Sequence, residues 1–548
     1  MNGLAVAAGL AGAALAGARW LRVAQREHYL PGSASRFAVR WWGSGPNLLL
    51  ALAVVLGIVL AQAAPLAAVA GSAALAAGPF GLSLRGRTSP LAWTRRLRTL
   101  AGVWVVLHVA VVAAGVVAGQ GPRVAALAAA AAPALIDVAM SLTAPIERRR
   151  IEPFVARATA RLGEVRPTVV AITGSYGKTT TKGYVAHLVS GTRSVVPTPA
   201  SFNNRAGLAR AVNEHLTDGT EVFVAEMGTY GRGEIAELCR WCPPEVAVIC
   251  AIGPVHLERM GTEQAIVEAK AEILEGARVA ILNVDHPLLA RLAAQREAAG
   301  QRVVRCSESP SAIAVGAEVA TGSVAEDPPP AGAGAAAAAG AADVVAEDPP
   351  PAAKVSAVAE VVVADGVVTV DGHAIGTVPA SVGAAPTNVA CAVAAALEVG
   401  VPREGVAARL AALPTAPHRL SVSQGRTGAL ILDDTYNANP AGAGAALAAV
   451  ARHATFGGRC VVVTPGMVEL GPLQDQENRR LAQAASATAT DLVLVGRTNR
   501  AALVAGAAGG GAQVVLTESR DEAVAWVREH VGEGDVVLYE NDLPDHFP

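Results

Sequence analysis

Lysine is nearly absent from this 548-residue chain: among 44 basic residues only Lys178, Lys182, Lys270 and Lys354 are not arginine. With the alanine excess, this reads as a coding bias that substitutes Arg wherever Arg will serve. A retained Lys is then a weak pointer to chemistry that needs a primary amine or a compact point charge. Cysteine is scarce as well, six in the whole chain at irregular spacing, which excludes a disulfide scaffold and fits a reducing compartment. Net charge is almost nil at −2, so no global field would draw the protein onto nucleic acid, and a general DNA or RNA binder is excluded. What is abundant is apolar: 52% of residues, with a mean hydropathy of +0.39. That excludes disorder for most of the chain and argues against one soluble core, and at about 150 residues per domain there is room for three or four units.

The apolar excess lies in residues 1–143, in runs of about 17 residues or more, near the length that crosses a ~30 Å hydrocarbon layer. The runs are Gly3 to Ala18, Asn47 to Ala63, Leu66 to Leu82, Leu100 to Ala118 and Val124 to Leu142. Only Ala64 and Pro65 separate the second from the third, which therefore form a tight hairpin or one kinked helix, for a count of five or four. Arg19, Arg22, Arg26, Arg36 and Arg40 fill one loop, and Arg85, Arg87, Arg95, Arg96 and Arg98 another. Both loops are expected on the cytoplasmic side, which five crossings with the N-terminus outside satisfy. Met1 to Leu10 lacks the positive segment of a cleaved signal peptide. The expectation is a multi-pass cell-membrane protein with everything after the basic segment Glu147 to Arg150 in the cytoplasm. His108 and Asp137 lie within the runs without an assigned role, and Phe154 to Leu162, in the connecting segment 144–166, reads as an interfacial helix.

From Arg166 the pattern changes to short β-branched runs separated by helical stretches: PTVVAIT, EVFVAEM, EVAVICAI and ARVAILN. A second series follows with ALILDD, RCVVVTPG, DLVLVG, AQVVLT and DVVLYE. Both predict α/β folds on mostly parallel sheets, a central body over 167–412 and a Rossmann-like C-terminal domain over 413–548. Within the central body, 308–356 carries VAEDPPP twice around a Gly/Ala tract. Pro triplets and such repeats supply no packed core, which predicts a flexible surface insert without chemistry, and Lys354 beside it a solvated charge.

The strongest local signal is Ile172-Thr173-Gly174-Ser175-Tyr176-Gly177-Lys178-Thr179-Thr180, after a strand and before a helix. Glycines let backbone N–H groups close around phosphate oxygens, the helix N-terminus adds positive potential, Lys178 neutralises charge and a Thr hydroxyl can hold Mg²⁺. Gly174 and Gly177 are three positions apart, against five in the usual phosphate loop. Glu226, ending EVFVAE, places a carboxylate at the C-terminal edge of the sheet, where ligands of open α/β sheets collect and where it suits Mg²⁺. His256, in GPVHLE, follows the next strand in the same manner. Cys239-Arg-Trp-Cys242 is a lone CxxC without a second pair at zinc spacing and carries no metal expectation.

Taken in order, this compact loop, Glu226-Met227-Gly228, Gly253 to Gly261 and Glu268 to Ile273 resemble the ATP-dependent Mur ligases, in particular the D-alanyl-D-alanine-adding type. Ser201 to Gly207, Leu282 to Asp285, Thr387-Asn388, His418-Arg419-Leu420, Asp433 to Pro440 and Gly466 to Gly471 extend the likeness. The resemblance implies two cofactors, ATP and Mg²⁺. Gly174, Ser175, Gly177, Lys178 and Thr180 would hold the phosphates, and Thr179 with Glu226 one Mg²⁺. His256 would bind a second with Glu226 and Lys270, a lysine that several family members carbamylate. Asn283 would also touch nucleotide, Asn388 the adenine side, Arg419 the γ-phosphate and Asp434 the ribose. Asn203, Asn204, Tyr436, Asn437 and Asn439 would face substrate. Lys178, Glu226, His256, Lys270 and Arg419 form the implied catalytic set. The implied reaction passes a phosphoryl group from ATP to a substrate carboxylate, and an amine then displaces phosphate.

The chain departs from that family in three places. Membrane helix stands where a soluble domain grips the UDP-sugar end of the substrate, Leu538 to Asp545 replaces a Lys-Gly-Ser-type ending, and Asn478 stands at a common His position. The expected partners are a peptide or muropeptide-type carboxylate, lipid-linked by virtue of the anchor, and an amino acid or dipeptide amine. Competing expectations are a γ-glutamyl polymer or folate-type ligase using glutamate, and a non-catalytic membrane protein gated by nucleotide.

Overall fold

The computed structural model describes residues 1–43, 45, 47–61, 63–84, 91–309, 360–379, 386–414, 420–436, 439–454, 457–543 and 547. Most of the VAEDPPP insert therefore lies outside the described residues, as do Arg419 and Asn437. The chain divides into two compact units, Met1–Ala158 with Pro417–Pro548, and Thr159–Ala416.

The first unit begins with helices α1 (Asn2–Arg26), α2 (Ser33–Trp42), α3 (Asn47–Leu60), α4 (Pro65–Ala77), α5 (Arg95–Val117), α6 (Gly121–Ala130) and α7 (Ala132–Val165), the last running on into the second unit. Among the described residues, α1 and α5 alone are by themselves long and apolar enough to cross a membrane. The pairs α2–α3 and α6–α7 pass the same test if each bent pair is one span, so the described residues contain two to four candidate spans, against the four or five expected. The second and third runs fall short because their helices stop early. α4 ends at Ala77 before Gly78-Pro79, and its 13 residues reach only about 20 Å.

Small residues let these helices approach closely. A Cβ on Gly57 of α3 would lie 2.8 Å from the Gly71 Cα of α4, one on Gly12 of α1 would lie 2.8 Å from the Ser72 carbonyl, and Gly17 leaves room for the Trp104 ring. Asp137 proves to be a cap: its carboxylate accepts from the backbone N–H groups of Ala34 (3.1 Å) and Ser35 (2.9 Å) and from the Ser35 hydroxyl, satisfying the first turn of α2.

The second unit is built on β1 (Thr168–Thr173), β2 (Val195–Pro197), β3 (Val222–Glu226), β4 (Val246–Ile249), β5 (Val279–Asn283), β6 (Arg302–Ser307), β7 (Val361–Ala364), β8 (Val367–Val370) and β9 (His373–Thr377). They form one sheet in the order β2-β3-β1-β4-β5-β6-β7-β8-β9, parallel through β7 and antiparallel across the final two pairings. Its helices are α8 (Lys178–Val189), α9 (Arg205–His215), α10 (Glu234–Trp241), α11 (Leu257–Met260), α12 (Glu263–Ala271), α13 (Pro287–Ala298), α14 (Pro386–Glu398) and α15 (Arg403–Leu410). α8 and the almost fully enclosed α14 share one core with alternate residues of the central strands. β1, β3, β4 and β5 are the four β-branched runs read from the sequence, and burial on both faces explains why they show no polar alternation.

The C-terminal part of the first unit carries a six-stranded sheet in the order β10-β11-β15-β12-β13-β14, parallel except for β10. Its strands are β10 (Ser421–Gln424), β11 (Leu430–Asp434), β12 (Cys460–Thr464), β13 (Asp491–Val495), β14 (Gln513–Thr517) and β15 (Val536–Glu540). The helices α16 (Pro440–His453), α17 (Gln474–Thr488), α18 (Arg500–Ala507) and α19 (Arg520–His530) accompany it, and separate apolar clusters cover its two faces. Both sheets are thus the mostly parallel α/β sheets the sequence predicts.

Candidate active site

Residues 174–177 connect β1 to the N-terminus of α8 as a phosphate loop would. Gly177 caps the helix at φ +82°, a left-handed conformation natural to glycine, and a Cβ there would overlap the Asn388 amide of α14. Gly174 is equally constrained, since a Cβ would meet the Cys250 sulfur at 2.5 Å. The loop is tied to the segment after β4. Ser175 N–H donates to the Ala251 carbonyl (2.8 Å), the Ser175 hydroxyl bridges Gly253 N–H and C=O (both 3.1 Å), and the Tyr176 hydroxyl donates to the Ile252 carbonyl (3.0 Å).

Two lysines meet at this loop. Lys178 Nζ donates to the Gly174 carbonyl at 2.7 Å, and Lys270 Nζ, from α12, donates to the same oxygen at 3.1 Å. Lys270 is 1% exposed. Burial, reinforced by the Lys178 charge, pulls its amine down to about 7, so near neutral pH a large share of it is uncharged.

Glu226, at the end of β3 and 1% exposed, is held by three donors. Thr179 Oγ1 and Lys182 Nζ reach one oxygen at 3.0 and 2.9 Å, and Asn203 Nδ2 reaches the other at 3.1 Å. Lys182 also donates to the Ala200 carbonyl, fastening the 198–204 loop to α8. Lys182 stands out in the sequence only as one of four lysines, with no role implied. Its place four residues after Lys178, on the same helical face, was the available signal. His256 caps α11 at φ +69°, its ring in a T-shaped contact with Tyr230 at 5.4 Å, and the Arg259 guanidinium lies over the Tyr230 ring at 4.9 Å from its centroid.

The residues present fit both expected groups. Two glycines whose side-chain space is taken, the N-terminus of a 12-residue helix and Lys178 suit a polyphosphate, and the Thr179 hydroxyl with the Glu226 carboxylate supplies the hard oxygen donors that Mg²⁺ prefers. Among the described residues no three His, Cys, Asp or Glu side chains gather as a metal cluster. Cys239 and Cys242 form no disulfide, and burial pushes Cys239 up to about 12.

Other expected residues have visible structural duties. Asn283 bridges the Cys250 carbonyl and Asp285 N–H, each at 3.1 Å. Asn204 and Asn439 are N-caps, accepting from Gly207 N–H (2.9 Å) and Gly442 N–H (3.0 Å) at the starts of α9 and α16. Tyr436 is exposed. Asp434 ends β11 and accepts from Leu420 N–H at 3.0 Å. Asn478 is wholly buried and binds Met467 N–H, the Met467 carbonyl and the Gln474 carbonyl, which fixes the GMVELG loop.

Comparison with known proteins agrees with this arrangement. The Mur ligase middle domain matches residues 172–326, and the Mur ligase glutamate ligase domain matches 418–539. The UDP-N-acetylmuramoyl-tripeptide–D-alanyl-D-alanine ligase of Mycobacterium leprae is 31% identical over 397 residues, covering 68% of this chain and 70% of that one. The enzyme of the same name from Escherichia coli is 28% identical over 350 residues, 63% and 68% of the two chains. Among solved structures, MurF from Acinetobacter baumannii shares the fold with a TM-score of 0.54 at 23% identity, over 72% of this chain and 77% of that one. With a conserved-length match of this kind laid over a phosphate loop, a buried carboxylate and two convergent lysines, the chain belongs to the Mur ligases, a family of ATP-dependent, ADP-forming acid–amino-acid ligases that serve peptidoglycan synthesis.

Proposed function

We propose that this protein is a membrane-anchored ligase that phosphorylates a peptide carboxylate with ATP and joins it to an amine of the D-alanyl-D-alanine type. The observation that carries the reading is the meeting of Lys178, Lys270, Thr179 and Glu226 around one loop. In it, residues 1–143 are the membrane region with an external N-terminus, 144–166 the connector, 167–412 the ATP-binding body and 413–548 the C-terminal ligase domain. Lys178 and the N–H groups of 174–180 would bind the phosphates, and bound Mg²⁺, held by Thr179 and Glu226, would offset charge on the transferring group. The half-neutral Lys270 amine can take up carbon dioxide as a carbamate, becoming an oxygen donor in place of a repelling ammonium. Asp434 is assigned to the ribose hydroxyls, Arg419 to the γ-phosphate, and His256 to the metal side.

The apolar helices in place of a UDP-sugar-binding domain favour a lipid-linked or membrane-proximal acceptor. The test is mass analysis of products formed by detergent-solubilised protein given ATP, Mg²⁺, soluble and lipid-linked precursors, and mixed amines. A D-Ala-D-Ala adduct of the lipid-linked precursor is expected. Use of only the soluble UDP-muropeptide would refute the lipid-linked acceptor, and glutamate incorporation would favour a γ-glutamyl ligase. Lys178→Ala should abolish amine-dependent ADP release, and normal amide formation by that variant would defeat the assignment of the loop.

A further inference from the structure

At the C-terminal ends of β11 and β15, Asp434 and Glu540 are register partners on neighbouring parallel strands, so their side chains leave the same face of the sheet about 4.8 Å apart at the backbone. Glu540 is completely enclosed, and neither of its carboxyl oxygens meets a hydrogen-bond donor. Its surroundings explain why. By alternation along β15 Glu540 shares a face with Val536 and Leu538, the face whose apolar cluster includes Ala443, Ala446, Leu447 and Val450 of α16, and the charged group acting on Glu540 is Asp434. An ionised carboxylate without donors in such a place is far too costly to persist, so Glu540 is held as the neutral acid. A neutral acid carries one O–H that needs an acceptor, and the acceptor it faces is the Asp434 carboxylate. Asp434 is only half-buried and receives Leu420 N–H on one oxygen, so it stands at the border between the enclosed Glu540 and the exterior.

We propose that Glu540 is a positioning residue whose carboxyl O–H donates to Asp434 and orients that carboxylate as the acceptor for a nucleotide's ribose diol. The inference rests on the assignment of Asp434 to the ribose made above. It also gives a physical meaning to the departure from a Lys-Gly-Ser-type ending. A lysine beside Asp434 would neutralise the aspartate as an ion pair, whereas a protonated glutamate fixes its direction and leaves its charge in place.

The test uses the full chain in detergent with Mg²⁺ and ADP as the probe, comparing wild type, Glu540→Gln, Glu540→Ala and Asp434→Asn by binding titration across pH, alongside infrared detection of a protonated carboxylic acid at neutral pH. Glu540→Gln, which keeps a donor, should hold ADP within about twofold and lose the weakening of affinity that wild type shows as alkaline pH removes the Glu540 proton. Glu540→Ala should weaken ADP by about tenfold or more, the usual worth of a charge-assisted hydrogen bond. The acid carbonyl band should be present in wild type and missing from Glu540→Gln. Absence of that band in wild type, or equal ADP affinity for the Gln and Ala variants, overturns the positioning role. Unchanged affinity in Asp434→Asn overturns the ribose assignment itself, and so tells failure of that reading apart from failure of this one.

Discussion

Replacing Lys182 by methionine leaves the Glu226 carboxylate enclosed without its counter-ion, and the structure sets the size of the effect. Lys182 is 5% and Glu226 1% exposed, with N and O 2.9 Å apart. At that distance and an effective dielectric constant of about 20, two unit charges attract by about 6 kcal/mol, most of it offset by the desolvation both groups have already undergone. Deleting one partner of such a pair costs about 3–5 kcal/mol, because the other stays buried and charged. Glu226 keeps the Thr179 and Asn203 donors, so the lower end, about 3 kcal/mol, is expected. Hydrogen exchange in the full-length protein reads this directly: amides of α8 and of 198–204 should open about a hundredfold more readily in Lys182→Met. Adding Mg²⁺ with ADP should narrow the gap, since a divalent cation replaces the missing charge. Glu226→Gln combined with Lys182→Met should cost less than the sum of the single variants. Unchanged exchange in Lys182→Met, or simple additivity in the double variant, would refute the reasoning.

Asn478→Ala removes three hydrogen bonds from a fully buried amide, and a loss of about 2–4 kcal/mol from the C-terminal domain is expected, measurable by exchange at β12 and α17. Gly57→Leu places atoms where α4 already lies within 2.8 Å, and should separate α3 from α4 and speed proteolysis of the detergent-solubilised protein. Because the Glu540 pKa is raised above its unfolded value of 4.5, folded chains hold more protons than unfolded ones above that pH. Its stabilising contribution is therefore complete below about pH 4.5 and falls as pH climbs toward the raised value, by at most about 1.4 kcal/mol per unit. Melting curves of Glu540→Gln should lack this decline, so its advantage over wild type should grow with pH.

The strands around the phosphate loop were legible because each is a β-branched run enclosed on both faces, which leaves little in the sequence to compete with that reading. The β7–β9 meander went unread although Asp365-Gly366 and Asp371-Gly372 both adopt positive φ, the signature of tight hairpin turns between alternating runs. In the apolar region α3 and α4 stop short of the runs Asn47 to Ala63 and Leu66 to Leu82, whereas α1 and α5 are longer than theirs, because hydropathy measures composition and says nothing of where a helix starts or stops. The positions of Lys178 at the start of α8 and Glu226 at the end of β3 follow from local context, whereas the surroundings of Lys182 and Glu540 depend on neighbours from other elements. Asn204 and Asn439 also cap helices, accepting from the N–H of a glycine three residues on, a duty the resemblance does not mention.

The thiols offer an experimental opening. All six cysteines are free, five are buried, and the sixth, Cys239, is held far from the thiolate form at neutral pH. Native sulfur should therefore stay silent toward maleimides in the folded protein. Single cysteines added to the Arg-rich loops of the apolar region can then report whether these helices enter a bilayer and which side each loop occupies, with no need to strip the natural ones first.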